Sequence, residues 1–494
     1  MIATLNPNSI DDYRKFIAIK SLPRFKFTGR EAWFPDEYAA KLGMKQSRHK
    51  PAEYKPSDFL FDYQAAIAAT AIKKQRYAVF ADCGLGKTAI IFEYVRHVDA
   101  VLPKSKRILI VSPLMVISQT IAEAKRFYGA NFDIQQVKAK DLQAWLNGDG
   151  QRIGITNYDA ITDDLDAGDV GCLVLDESSM LKSMYGKWGT KLIELGKGLD
   201  WKLCLTGTPA PNDRIEYGNH AVFLDQFPTL NAFLARYFVN RGQTDNRWEL
   251  KPHALEPFYR SISHWAIFLS NPATYGWKDN TKELPPINVH ISNVELTTEQ
   301  DSLVQSTTGE LFASDFGGIT SRGTLARIAK GSHKGEKVAT NKYTAIQEII
   351  DREPDRPTII WCLYNDEQDT LAAMLPDAAN ISGDTPESER IELIDDFKAG
   401  RRKVLISKAK IIGFGLNLQI CTRMIFSSLQ DSYESYYQAV KRANRYGSTQ
   451  QLDVYVPVTD LEMPMVETVL RKAAMIQHDT EQQERIFRSQ LEAK

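Results

Sequence analysis

Six short apolar runs decide what this chain can become: RILIVSP (107–113), CLVLDE (172–177), KLCLTGT (202–208), TIIWC (358–362), KVLISK (403–408) and RMIFSS (423–428). Each ends in small polar or acidic residues and precedes a longer amphipathic stretch. Alternating patterns mark strands with one wet face, whereas uninterrupted hydrophobicity marks strands covered on both faces, as in parallel α/β sheets. The runs cluster before about 210 and after about 355. The pattern therefore predicts two α/β lobes, each a parallel sheet wrapped by helices.

The 494 residues leave room for more than two lobes, since roughly 150 residues make one domain. Residues 213–280 are rich in Phe, Tyr and Trp at helical spacing, and 309–335 hold six glycines with Arg322, Arg327, Lys330 and Lys334. The expected order is an N-terminal accessory module (1–56), lobe 1 (57–296) with a helical insertion at 213–285, a mobile basic linker (297–340), lobe 2 (341–460) and a helical tail (461–494). The aromatic residues of the insertion are expected to be ordinary core.

Lys and Arg number 61 against 62 Asp and Glu, so the whole molecule has no field that would gather a polyanion. Any such partner must be held locally. Arg14 to Lys55 carries eleven cations against four acids, a surplus of +7 that leaves −8 for the remainder. Interleaved are Phe16, Phe25, Phe27, Trp33, Phe34 and Tyr38, which either stack on bases beside phosphate-holding cations or pack a small core. Five scattered cysteines without a CxxC, no cationic leader and no apolar run of about 18 residues point to a soluble, cytoplasmic protein.

Local chemistry concentrates at AVFADCGLGKTAII, which reads as a strand, a glycine loop and a helix. That context suits a phosphate-binding loop: backbone N–H groups from Gly84 through Gly86 to Thr88 surround a β-phosphate, Lys87 reaches the β/γ-phosphates and Thr88 binds Mg²⁺. Ala81 stands where the strict motif has its first glycine. A plain glycine turn with a surface lysine is the competing reading. About 90 residues on, Asp176 and Glu177 end the run CLVLDE. Adjacent carboxylates there divide labour, Asp176 holding Mg²⁺ partly through water and Glu177 polarising the attacking water. Gln438, Arg442 and Arg445 are spaced i, i+4, i+7, which on a helix puts them on one face and offers two planar cations to a γ-phosphate.

The ordered set FDYQ, DCGLGKT, VSPL, ITNYD, LDESS, LTGTPAPN, ISGD, SKAKIIGFGLNLQ and QAVKRANRYG resembles superfamily 2 helicases, the SNF2 branch above all, and its wording is similar to compact helicases of phages and mobile elements. The resemblance covers about 58 to 460. It implies two tandem RecA-like lobes with ATP and Mg²⁺ as cofactors. It further implies that Gln64 reads adenine, that Thr206 to Thr208 couple the nucleotide site to the track, and that Gly415 and Asn417 contact nucleotide and backbone. Arg442 and Arg445 become arginine fingers beside Gln438. Ser112, Pro113, Thr156, Asn157, Tyr158, Ser407, Lys408 and Asn417 face nucleic acid. Ser178-Ser179 replaces the usual Ala-His or Ala-Gln, and Ile412-Gly413 replaces two glycines. The implied activity is ATP-dependent movement along, or remodelling of, DNA by a monomeric motor, with duplex or branched DNA as partner and no membrane, in the host cytoplasm if phage-encoded. An RNA helicase and a non-hydrolysing nucleotide-dependent clamp are the alternatives.

Overall fold

The computed structural model describes residues 2–492 apart from 23–24, 35–37, 40–41, 45–52, 130–131, 183–185, 243–247, 279–284, 314–318, 413–415, 430–432 and 445–447. Two compact units emerge, one of Met1–Asn280 with Ile476–Lys494 and one of Thr281–Met475.

The first unit begins with a small antiparallel sheet of β1 (Ile2–Thr4), β2 (Lys26–Thr28) and β3 (Glu31–Trp33) in the order β1-β3-β2. The helix Ile10–Lys20 accompanies it and starts at Ser9, whose hydroxyl accepts the Asp12 N–H at 3.3 Å. Such a cap supplies about 1 kcal/mol to so short a helix. Ala3, Ile19, Leu22, Ala32, Phe34 and Tyr38 form this module's core.

The large sheet follows: β4 (Arg76–Ala81), β5 (Arg107–Ser112), β6 (Gln135–Gln136), β7 (Ile153–Asn157), β8 (Val170–Asp176) and β9 (Trp201–Thr206). A hairpin of β10 (Phe238–Asn240) and β11 (Trp248–Leu250) precedes the last strand, β12 (Ala266–Leu269). The order is β12-β4-β9-β8-β5-β7-β6, with every pairing parallel. Register aligns Phe80 with Thr206, Asp176 with Leu205 and Ser112 with Asn157, so the carboxyl ends gather on one edge. Open parallel sheets bind ligands at that edge.

The second unit holds β13 (Ile287–Asn293), a hairpin of β14 (Ser332–His333) and β15 (Glu336–Lys337), β16 (Thr358–Cys362), β17 (Ala379–Ile381), β18 (Val404–Lys408), β19 (Arg423–Phe426) and β20 (Leu452–Val458). Its sheet, ordered β13-β20-β19-β16-β18-β17, is parallel throughout. Both lobes are thus the parallel α/β sheets expected from the apolar runs.

Three segments differ from expectation. The insertion at 213–285 is only partly helical: the β10–β11 hairpin interrupts its helices, and β12 within it returns as an edge strand of the large sheet beside β4. The lobe boundary at 296 lies beyond β13, which pairs with β20 and so belongs to the second unit. The expected linker, 297–340, contains the helices Thr298–Ala313 and Ile319–Ala329, because Ala326, Ile328 and Ala329 bury one face despite the nearby glycines. The insertion's aromatic residues are core: Phe223, Phe233, Tyr237, Phe258 and Trp265 are buried in one cluster. Residues 463–492 form one helix, whose end belongs to the first unit, where Asp479 accepts the Arg214 Nε–H at 2.9 Å and Glu484 accepts the Ser270 N–H at 2.7 Å. Among the described residues no helix is long and apolar enough to cross a membrane.

Candidate active site

Two glycines shape the loop after β4. Gly84 (φ 86°) and Gly86 (φ 70°) adopt left-handed backbone, which residues carrying a Cβ disfavour. At Gly86 a Cβ would also come within 2.1 Å of the Gln64 amide nitrogen. Gly86 caps the helix Lys87–Val101 without a side-chain hydrogen bond. The positive end of that helix is therefore directed at the loop, where an anion is favoured.

Lys87, the first helical residue, donates to the carbonyls of Ala81 at 3.0 Å and Asp82 at 3.4 Å. Burial alone would pull its pKa down. Cys83, Glu177, Asp176 and Asp82 outweigh that effect, and the net shift is upward. Thr88 follows in the same turn. Gln64 is buried, accepts the Phe61 N–H at 3.1 Å and donates to the Leu85 carbonyl at 3.3 Å, while the Tyr63 hydroxyl donates to the same carbonyl at 3.1 Å. The helix Asp62–Lys74 thereby anchors the loop.

Asp176 ends β8. Its carboxylate accepts the Ser112 hydroxyl at 2.9 Å and the Glu177 N–H at 3.1 Å, and its carbonyl accepts the Tyr158 hydroxyl at 2.6 Å. Burial and then the Glu177 charge push its pKa up, against Ser112 and Lys87. Glu177 itself has φ 51° and ψ 52°, a left-handed conformation that costs a non-glycine residue about 1–2 kcal/mol. Its carboxylate accepts the Thr206 hydroxyl at 3.2 Å, and Thr206 Oγ1 in turn accepts the Thr208 N–H at 3.2 Å. A hydrogen-bonded path thus runs from Glu177 to the loop after β9.

The neighbouring Ser178 is fully buried, with its hydroxyl 3.0 Å from His220 Nε2. His220 Nδ1 faces the Glu216 carbonyl at 3.5 Å, and Phe80 abuts the ring edge-on with centroids 5.4 Å apart. Burial pushes the imidazole pKa down to about 4 from 6.5. The unfolded chain therefore binds this proton first, so the stabilisation is whole above pH 6.5 and is lost as pH falls toward 4. The loss between pH 7 and pH 5 should be about 2 kcal/mol, and His220→Gln should flatten that slope in urea unfolding. Equal slopes for the two proteins would refute the assignment.

An ammonium, a hydroxyl, two carboxylates and a helix N-terminus around one loop match what a nucleoside triphosphate with a divalent cation requires. The Thr88 hydroxyl and the Asp176 carboxylate are oxygen donors of the hard kind that Mg²⁺ prefers.

Several expected positions stand differently. Ser112, Thr156, Tyr158 and Ser407 are buried. Ser112 and Tyr158 bond to Asp176, Thr156 Oγ1 donates to the Val137 carbonyl at 2.8 Å, and Ser407 Oγ donates to the Ile381 carbonyl at 2.7 Å. Their side chains brace strand ends rather than face a ligand. Pro113, Asn157 and Lys408 are half-buried and Asn417 is exposed. The helix carrying Gln438 ends at Val440, so Arg442 lies in the following turn and the single helical face is not formed. Gly415 and Arg445 lie outside the described residues.

The second unit also holds a cavity of about 310 Å³ with cations and acids in its lining: Arg327, Lys330 and the expected Lys408 beside Tyr364, Asp366 and Glu367, among others. The Arg327 guanidinium and the Lys330 ammonium each lie 5.1 Å from the Tyr364 ring centre, and Lys408 donates to Asn365. Arg327 and Lys330 had the appearance of linker residues because glycines surround them.

The family model of the SNF2-related domain matches residues 73–351, and that of the helicase conserved C-terminal domain matches 341–447. Protein p41 of Acyrthosiphon pisum secondary endosymbiont phage 1 is 24% identical over 412 residues, which are 77% of this chain and 87% of that protein. The DNA annealing helicase and endonuclease ZRANB3 of Mus musculus is 22% identical over 453 residues, 84% of this chain but 40% of ZRANB3. A solved structure, the Sulfolobus solfataricus SWI2/SNF2 ATPase core in complex with dsDNA, matches with a TM-score of 0.40 and 18% identity, covering 89% of this chain and 97% of that one.

Proposed function

Because the chain belongs to the SNF2-related family, we propose that it is an ATP-dependent DNA helicase or translocase that couples hydrolysis to movement along, or remodelling of, duplex or branched DNA. One observation carries this reading: Glu177 is hydrogen-bonded to Thr206, and Thr206 to Thr208, so the residue to which this reading gives the water is linked to the loop leaving the sheet edge. An isolated nucleotide clamp needs no such path. The likeness to ZRANB3, named a DNA annealing helicase, supports DNA as the partner.

In this reading Lys87 and the N–H groups from Gly84 to Thr88 hold the phosphates, Thr88 and Asp176 hold Mg²⁺, and Gln64 orients the base side of the nucleotide. ATP supplies the phosphoryl group whose transfer to water drives the cycle. Glu177 orients that water and receives its proton. Lys408 and Arg327 grip backbone phosphates, which makes binding salt-dependent and largely indifferent to sequence.

The test is steady-state hydrolysis with duplex DNA, single-stranded DNA and RNA as stimulants. Duplex or branched DNA should raise kcat, and RNA should not. Hydrolysis indifferent to all three would reject the motor, and stimulation by RNA alone would favour an RNA helicase.

A further inference from the structure

The aromatic residues of the N-terminal module differ in burial. Phe34 and Tyr38 are buried in its core. Tyr13, Phe16, Phe27 and Phe25 form a continuous ladder along the line where the helix Ile10–Lys20 meets the edge strand β2, with successive ring centres 6.4, 4.8 and 5.5 Å apart, and Phe25 and Phe27 also pack against that core. Tyr13 is 63% exposed, and Phe16, Phe25 and Phe27 are half-buried. Ile10 and Ile17 extend the exposed apolar strip on the same helix. Monomeric proteins rarely leave such a strip uncovered unless something binds there.

Charge on this surface identifies the occupant. Lys20 lies 5.3 Å from the Phe16 ring centre, and the Arg236 guanidinium lies 5.3 Å from that of Phe25. The acids of the same helix are engaged locally, Asp11 by Arg14 at 3.3 Å and Asp12 by Lys15 at 2.9 Å. The ladder is therefore flanked by two cations and faces no uncompensated acid from that helix. An apolar protein partner would have to bury those cations, whereas a polyanion bearing flat apolar groups would use them.

We propose that this ladder is a binding surface for single-stranded DNA, on which unpaired bases stack against Tyr13, Phe16 and the exposed parts of Phe25 and Phe27 while Lys20 and Arg236 hold phosphates. Stacking on rings does not discriminate between bases, and binding should weaken as salt rises. The surface is separate from the phosphate loop and does not depend on the motor activity.

The test is fluorescence anisotropy of the full chain, without nucleotide, on an oligothymidylate of about ten nucleotides, a length set by the few bases such platforms hold. Tyr13→Ala with Phe16→Leu should weaken binding at least about tenfold, as expected for lost stacking contacts. Basal ATP hydrolysis should stay unchanged. An oligonucleotide of the same length with abasic sites should lose affinity similarly on the unaltered protein, an arm that requires no variant to fold. Affinities within twofold in both comparisons overturn the proposal and leave the strip to a protein partner or a second copy. Tighter binding of oligouridylate than of oligothymidylate overturns the assignment to DNA. Because hydrolysis and anisotropy are read separately, loss of the motor reading would leave this result standing.

Discussion

Glu177→Gln should lower ATP turnover by about 10²–10⁴-fold, the range associated with losing a positioned general base. The amide keeps the shape of the side chain and still accepts the Thr206 hydroxyl that Glu177 accepts at 3.2 Å. The left-handed backbone at 177 is unaltered in kind, so the substitution removes charge and basicity rather than architecture. Nucleotide affinity, measured by titration, should remain close to that of the unaltered protein. Lys87→Ala should behave differently and lose affinity together with turnover, because its ammonium belongs to the loop that would hold phosphate in the ground state as well as in the transition state. Unchanged kcat in the Glu177 variant would move the base elsewhere, and an equal loss of affinity in both would mean that Glu177 holds ligand rather than water.

Local signals in the chain were sufficient for the parts of this site that are local. The strands β5, β8, β9, β16, β18 and β19 were legible because both faces of each are covered, so the apolar runs are unbroken. Lys87 and Asp176 were legible because glycines and terminal carboxylates mark strand ends. By contrast, β12 is four residues long and lies inside an aromatic stretch, and β13 is an edge strand with an exposed second half, INVHISN, so neither has the hydrophobic density of a central strand. The residues that position the carboxylates were invisible for another reason. Ser112 and Asp176 are 64 positions apart, and Ser178 and His220 are 42 apart, so only the fold brings them together. Ser112, the last residue of β5, is expected to face nucleic acid from the resemblance of its VSPL motif; its hydroxyl is spent on Asp176 instead. The aromatic residues of the N-terminal module illustrate the same limit. Composition allows either core or stacking surface for Phe16, Phe25, Phe27, Trp33, Phe34 and Tyr38; the fold buries Phe34 and Tyr38, leaves Trp33 half-buried, and sets Phe16, Phe25 and Phe27 in a ladder that Tyr13 extends.

Breaking the charge cluster inside the second unit should have the largest effect on stability. Glu462 is 3% exposed and receives Lys342 Nζ at 2.8 and 2.7 Å; Lys330 Nζ stands 3.6 Å away, and Thr459 donates its N–H and hydroxyl at 3.2 Å each. Burial would raise the Glu462 pKa, but Lys342 and Lys330 outweigh it and hold the carboxylate below its ordinary range. One carboxylate serving two ammonium groups compensates neither fully, so burial still draws Lys342 down. Glu462→Leu would leave two lysines buried without their counter-charge and should cost about 3–5 kcal/mol. Replacing all three, with Lys330→Met, Lys342→Met and Glu462→Leu, should recover most of that loss, since apolar groups of similar volume carry no desolvation penalty. Trp361, the only tryptophan between 281 and 475 and 1% exposed, supplies a reporter confined to this unit. Fluorotryptophan labelling separates its signal during urea unfolding from those of the seven tryptophans elsewhere. A triple variant no more stable than Glu462→Leu would show that the cluster acts through packing or specific hydrogen bonds rather than through the cost of stranded charge.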